Sequence, residues 1–118
     1  VFALLLAIPT SILAGCGDDG PRLTEAGARG RAVAADNGCQ ACHGRNGEGG
    51  VGPSWIGLAG ADVELDGGTT VTADDDYLRR SIVEPRADTV AGYNVLMPTN
   101  SLSPAEVDLV IAYIKDLR

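Results

Sequence analysis

The stretch DNGCQACHGRNGEGGVGPSW, residues 36–55, places Cys39, Cys42 and His43, the only histidine in the chain, within five positions and then runs into glycines. Two cysteines at this spacing with a histidine directly behind them read as a redox dithiol, as part of a metal site, or as the attachment point of a larger group. The remainder of the chain separates the three.

With 118 residues the chain has room for one domain with one modest core, and it shows no internal repeat. Residues 1–13, VFALLLAIPTSIL, are apolar, too short to span a bilayer as a helix, and read as the hydrophobic region of an export signal. The alternative is a buried core helix, which Pro9 inside the stretch would disrupt. The stretch ends in Leu13-Ala14-Gly15-Cys16. This tetrapeptide resembles the bacterial lipoprotein cleavage box, a resemblance that implies Cys16 as the first mature residue and as the site of lipidation. No initiating Met and no basic leader precede it, so the sequence is expected to start inside the signal. Acyl chains hold a protein on a membrane surface at about 0.8 kcal/mol per buried methylene. The GDDGPR stretch after Cys16 reads as a polar tether. The expected organisation is an export signal over 1–15, a lipidated tether over 16–23 and a folded domain over 24–118. The expected location is the cell envelope, anchored by lipid to a bacterial membrane and facing the periplasm or the outside.

Export leaves Cys39 and Cys42 as a pair in an oxidising compartment, where a free C-x-x-C tends to close into a disulfide unless something else consumes both sulfurs. The net charge is −7 at pH 7, and acids cluster from Asp62 to Asp76 with no basic residue until Arg79. That balance argues against nucleic acid as a partner, and the cluster itself reads as a solvated acidic face. Behind the leader there is no Phe, and the aromatics are Trp55, Tyr77, Tyr93 and Tyr113. A core of Ala, Val, Leu and Gly leaves volume that a large apolar prosthetic group would fill, although Ala-rich helices can also pack closely through small side chains.

Residues 24–37 read as a helix capped by Thr24, with Ala28, Ala32 and Ala35 near one face, and with Gly27 and Gly30 as points of close helix approach. From Arg45 to Gly60 the chain is Gly-rich and aperiodic, hence a loop. Val63 to Val71 alternates apolar and polar residues around Asp-Gly-Gly and reads as a small hairpin. Residues 72–75 open a helix with acids in its first turn, running through Tyr77, Leu78 and Ile82 to stop before Pro85, with Arg79 and Arg80 on its exposed side. The last helix begins with Ser103 as N-cap, Pro104 at N1 and Glu106 closing a capping box. Leu102 and Val107 form its hydrophobic staple, and Val107, Val110, Ile111 and Ile114 form one apolar stripe.

C-x-x-C-H is the attachment signature of haem c. Two sulfurs three positions apart on a helical turn can each add across one vinyl group of the same porphyrin, and the next residue can then present its imidazole to the iron. Cys39 and Cys42 would be the thioethers and His43 the proximal ligand. A thioredoxin-like dithiol needs strands alternating with helices, a pattern absent here. A structural zinc site needs four N or S ligands, and only Cys39, Cys42 and His43 remain once Cys16 is set aside. For the sixth coordination position there is no second His, and Met97 is the only Met. A lone Met is ordinarily a core gap-filler. Met97, however, precedes Pro98 in an aperiodic segment, Ala91 to Leu102, which is a poor place for core filling, and it is assigned as the second axial ligand. His/Met ligation raises the potential and leaves no open position, which suits outer-sphere electron transfer.

The chain resembles the class I monohaem cytochromes c. From Gly38 to Arg118 it is similar to the cytochrome domain fused to the C-terminus of subunit II in some bacterial cytochrome c oxidases. The matching pieces are GCQACHG, VGPSWIGLAG, the VEL-DGG-TTVTADDDYLRRSIVEP segment, GYNVLMP and LSPAEVDLVIAYIKDL. The resemblance implies a mainly α fold, the class I cytochrome c fold, with helices around one covalently bound haem c and a small β-hairpin insertion. It also implies that the Pro53 carbonyl accepts the Nδ1 proton of His43, that Trp55 and Leu58 line the haem pocket, that Trp55 or Tyr93 bonds a propionate, and that Gly30 lets the first helix cross the last near Tyr113. Trp55 reads equally as the largest core residue. The copper domain and two membrane helices of the oxidase subunit are expected to be absent, and Lys115 is the only lysine. The expectation is therefore a free-standing, lipid-tethered cytochrome without the basic docking ring of mitochondrial cytochrome c.

The function these readings lead to is single-electron carriage in a respiratory chain, from a quinol-oxidising complex to a terminal oxidase, with no small-molecule substrate and no catalytic residue. Docking is expected to use the haem edge and residues around Gln40, Ala41, Val51 and Val95. Two other readings stand beside it: a fixed haem subunit of a larger respiratory complex, and a haem peroxidase or gas-sensing domain.

Overall fold

The computed structural model describes Gly15 and residues 20–118. The rest of the expected signal and Cys16 lie outside the described residues. The elements follow in the order α1 (Glu25–Asp36), α2 (Gln40–His43), β1 (Asp62–Glu64), β2 (Thr70–Thr72), α3 (Asp75–Val83) and α4 (Pro104–Asp116). No helix among the described residues is long and apolar enough to cross a membrane.

Thr24 caps α1 as its pattern predicts, accepting the Gly27 N–H at 3.0 Å. Its own N–H and hydroxyl both donate to Asp116 Oδ2, at 2.7 and 2.8 Å, so one threonine starts the first helix and clips it to the end of the last. The buried face of α1 is Gly27, Gly30 and Ala34, so the two glycines mark the close helix approach expected of them, while Ala28, Ala32 and Ala35 share an exposed face. The two sets differ by a rotation of about one position. The crossing with α4 selects the residues without side chains, and the alanines are left to flank it.

α4 carries the expected capping box, with Ser103 and Glu106 bonding reciprocally and Pro104 at the first helical position. Its stripe of Val107, Val110, Ile111 and Ile114 is buried, together with Tyr113. These side chains meet Ala34 of α1, Leu78 and Ile82 of α3, Val63 and Leu65 near the hairpin, and Trp55 in one continuous core.

The expected hairpin is present and antiparallel, with Val63 opposite Val71. β2 reaches Thr72, so α3 starts at the end of the expected 72–75 opening. Asp74 is the N-cap, accepting the Tyr77 N–H at 2.8 Å, and Asp75 and Asp76 sit in the first turn, where acids favour the helix dipole. Arg79 and Arg80 are on the exposed side and pair with Asp108 and Asp88. The chain leaving β1 also meets the segment after α3. Leu65 bridges Val90, Asp66 N–H donates to Thr89 O and Ala91 N–H donates to Glu64 O, both at 2.9 Å. From Ala91 to Leu102 there is no helix or strand.

Candidate functional site

A cavity of about 530 Å³ opens among α2, the 51–58 loop, β1, α3 and the segment from Pro85 to Asn100. Its volume lies in the range that buries a sizeable ligand, roughly 300–1,000 Å³. The floor is apolar, formed by Val63, Leu78, Ile82 and Ile114. The shortage of large side chains in the sequence thus has a spatial counterpart: packed helices on one side and an open volume in the middle. Cys39, Cys42, His43, Pro53, Trp55, Leu58, Tyr93 and Met97 all line this one cavity.

The one-turn helix α2 sets the cysteine spacing. His43 N–H donates to Cys39 O at 3.0 Å, and Gly44 N–H to Gln40 O at 3.0 Å, so residues three apart lie on one face. Cys39 and Cys42 are half-buried and are not joined to each other. Burial pushes the Cys39 thiol above its usual range, against a backbone hydrogen bond that favours the thiolate.

The loop behind α2 is tied to it by the chain's own amides. Gly49 N–H donates to His43 O at 2.7 Å, Gly52 N–H to Cys42 O at 3.0 Å, and Trp55 N–H to Gly47 O at 2.7 Å. Gly49 has φ +89°, and a Cβ there would stand 2.9 Å from the Ser54 amide. Only glycine permits both that backbone geometry and that approach. The loop thereby delivers the Pro53 carbonyl to His43 Nδ1 at 2.8 Å.

A carbonyl can only accept, so this bond places the imidazole proton on Nδ1 and leaves the lone pair on Nε2. His43 is 8% exposed. Burial holds its pKa below the ordinary imidazole value, and the Pro53 bond opposes this only in part. The ring is accordingly neutral near pH 7, the form that ligates metals. The indole of Trp55 stacks on it, with ring centroids 4.6 Å apart and planes inclined by 23°. Trp55 is 5% exposed and meets Tyr113 edge-on at 5.9 Å. It is therefore both a wall of the cavity and part of the core, and the two readings of this residue were not exclusive.

Two thiols, a neutral imidazole with a defined lone pair and a thioether around one apolar volume form the donor set a covalently bound haem requires. The residues present fit the group. Among the described residues no three His, Cys, Asp or Glu side chains gather into a metal cluster. A second, larger depression of about 810 Å³, between Gly57, the start of α3 and Lys115, has no Cys, His or Met in its lining.

Two contributors escaped the sequence reading. Gly52 lies against the His43 ring, with a Cβ there 3.1 Å from Cε1. Asn100 donates to Ile82 O at 2.8 Å and accepts the Leu102 N–H at 3.2 Å, holding the far end of the segment that carries Met97. A glycine's neighbour across a loop leaves no local signal. The Asn100 turn had one, since Asn followed by a residue two positions on is a recognised side-chain turn.

Helices arranged around this cavity, with a small two-stranded sheet at its rim, define the class I c-type cytochrome fold. The cytochrome c family model matches residues 27–118, and the chain belongs to that family. A comparison with curated proteins finds no match. Membership brings covalently attached haem c as the cofactor, redox proteins as partners and electron transfer as the function, in a family of electron carriers rather than enzymes.

Proposed function

We propose that this cytochrome carries single electrons on a haem that Cys39 and Cys42 would hold covalently and that His43 and Met97 would ligate. When bound, the haem supplies a one-electron couple. The observation that carries the reading is the joint lining of one cavity by His43 and Met97, the only methionine. Pro53 holds the His43 ring by its Nδ1 proton, which raises the basicity of the other nitrogen. The apolar floor keeps water from the group, and the Asn100 contacts hold the segment on which Met97 lies. With His43 and Met97 both held as ligands, the bound group would leave no place for a substrate at the metal and would supply outer-sphere electron transfer.

Around the cavity mouth, Val51 and Val95 are 53% and 58% exposed, and Gln40 and Ala41 lie on α2 close by. An apolar patch of this kind suits brief contact with a redox partner. The carrier is read as working in a respiratory chain, between a quinol-oxidising complex and a terminal oxidase. The support is the similarity of residues 38–118 to the cytochrome domain of oxidase subunit II. Residues 16–23 are read as a tether lipidated at Cys16, which would keep the domain at the surface of a bacterial membrane, on its periplasmic or outer side.

A pyridine haemochrome assay with a redox titration of wild type and Met97→Ala tests the site. The expected result is one haem c per chain, a low-spin spectrum lost in Met97→Ala, and a lower potential in that variant. An unchanged spectrum and potential overturn the ligand assignment. Ready binding of carbon monoxide by the reduced wild type at neutral pH overturns the carrier reading in favour of a gas-binding or peroxidase-like protein.

A further inference from the structure

The His43 ring is held on three sides by groups of different chemistry. The Pro53 carbonyl takes its Nδ1 proton at 2.8 Å. The Trp55 indole covers one face, with centroids 4.6 Å apart. Gly52 presses close to the ring edge, where a single added methyl group would stand 3.1 Å from Cε1 and 3.2 Å from Nδ1. A lone hydrogen bond fixes where a ring points but leaves rotation about the bond axis open. A stacked plane removes that rotation.

Trp55 is itself fixed. Its amide donates to Gly47 O at 2.7 Å, its carbonyl accepts the Leu58 N–H at 3.1 Å, and its indole meets Tyr113 edge-on at 5.9 Å with planes 89° apart. Tyr113 is 1% exposed and lies in the α1–α4 crossing beside Gly30. A continuous set of contacts thus runs from the helix crossing through Tyr113 and Trp55 to His43.

We propose that Trp55 is a positioning residue for the iron ligand, setting the rotational angle of the His43 imidazole about its bond to the metal and tuning the potential through the stacked indole. This rests on the reading of His43 as an axial ligand. The indole face is electron-rich, and a ligated imidazole carries more positive charge when the metal is oxidised. The stack therefore favours the oxidised state, as a cation over an aromatic face is favoured. Removing it raises the potential. Simple loosening of the core has the opposite sign, because water admitted beside the metal favours the more highly charged, oxidised state and lowers the potential.

The test is proton NMR of the oxidised holoprotein together with redox titration, for wild type, Trp55→Phe, Trp55→Leu and Gly52→Ala. In wild type, hyperfine-shifted resonances from the His43 ring establish that it is a ligand, and their absence overturns the ligand reading and with it the positioning role. With those resonances present, the order of the four haem methyl shifts reports the ring angle. Trp55→Leu is expected to reorder the methyl shifts and raise the potential, and Trp55→Phe to restore most of both. Gly52→Ala leaves the indole in place and crowds the ring from its edge, and is expected to change the methyl pattern even if Trp55→Leu does not fold. Methyl shifts that stay in wild-type order in every folded variant, or a potential that falls in Trp55→Leu, overturn the proposal while leaving His43 as a ligand.

Discussion

Gly30 of α1 lies so close to α4 that a methyl group there would overlap the Leu109 carbonyl and stand 3.0 Å from Tyr113 Cβ. The obstacle on one side is backbone, which cannot rotate away. The gain in helix propensity from Gly to Ala, about 1 kcal/mol, is therefore outweighed by separation of the two helices. We expect Gly30→Ala to lower stability by about 1–3 kcal/mol, the usual cost of overpacking, and Gly30→Val by more. At roughly 4–8 °C per kcal/mol for a domain of this size, a thermal melt followed by circular dichroism reads the effect directly. A melting temperature unchanged in Gly30→Ala would show that the crossing is looser than the contacts imply.

The same crossing shows where sequence reasoning succeeds and where it stops. Capping signals are local, so Thr24, Ser103 and Glu106 took their roles without tertiary information. The hairpin follows from alternation over a few residues around Asp-Gly-Gly. Gly30 could be placed because a glycine inside a helix needs a reason. The role of Ala34 was not legible because alanine is compatible with either side of α1, and only the partner helix chooses between Ala34 and its neighbours. The pairing of Leu65 with Val90 was not legible at all, since a single bridge between a strand end and a loop has no periodicity. At the site, Cys39, Cys42 and His43 stood out as a motif and Met97 was chosen by elimination, and all four line one cavity, whereas the stack of Trp55 on His43 depends on how a glycine loop turns.

The segment carrying Met97 has no helix or strand of its own, so its position depends on its ends. At the far end Asn100 supplies both a donor to the last turn of α3 and an acceptor for the Leu102 amide. Asn100→Ala removes both bonds and leaves the Ile82 carbonyl without this donor. We expect a loss of about 1–2 kcal/mol, together with faster hydrogen exchange at the Leu102 amide than elsewhere in the chain. Asn100→Asp keeps an acceptor for that amide, and is expected to restore its protection while losing the bond to Ile82. Equal exchange acceleration across all amides in Asn100→Ala would indicate global destabilisation and argue against a local role in holding the segment.

Glu48 gives the loop behind α2 a dependence on acid. Its carboxylate accepts its own backbone N–H, which is the largest influence, and the Asn46 N–H at 2.7 Å. These bonds hold its pKa below the ordinary glutamate value against a small opposing effect of burial. A carboxyl depressed in the folded state binds its proton more weakly there than in the unfolded chain. Its contribution to stability is therefore complete above the unfolded pKa, about 4.3, and is lost as pH falls through the lower folded value. Because the side chain is exposed, screening keeps the effect modest. Glu48→Gln retains an acceptor but cannot titrate. We expect its melting temperature to lie below wild type at neutral pH, with the two curves converging as pH drops from about 5 to 3. A gap between them that stays constant across this range would show that the charge of Glu48 does not support the loop, and that Asn46 is held by hydrogen bonding alone.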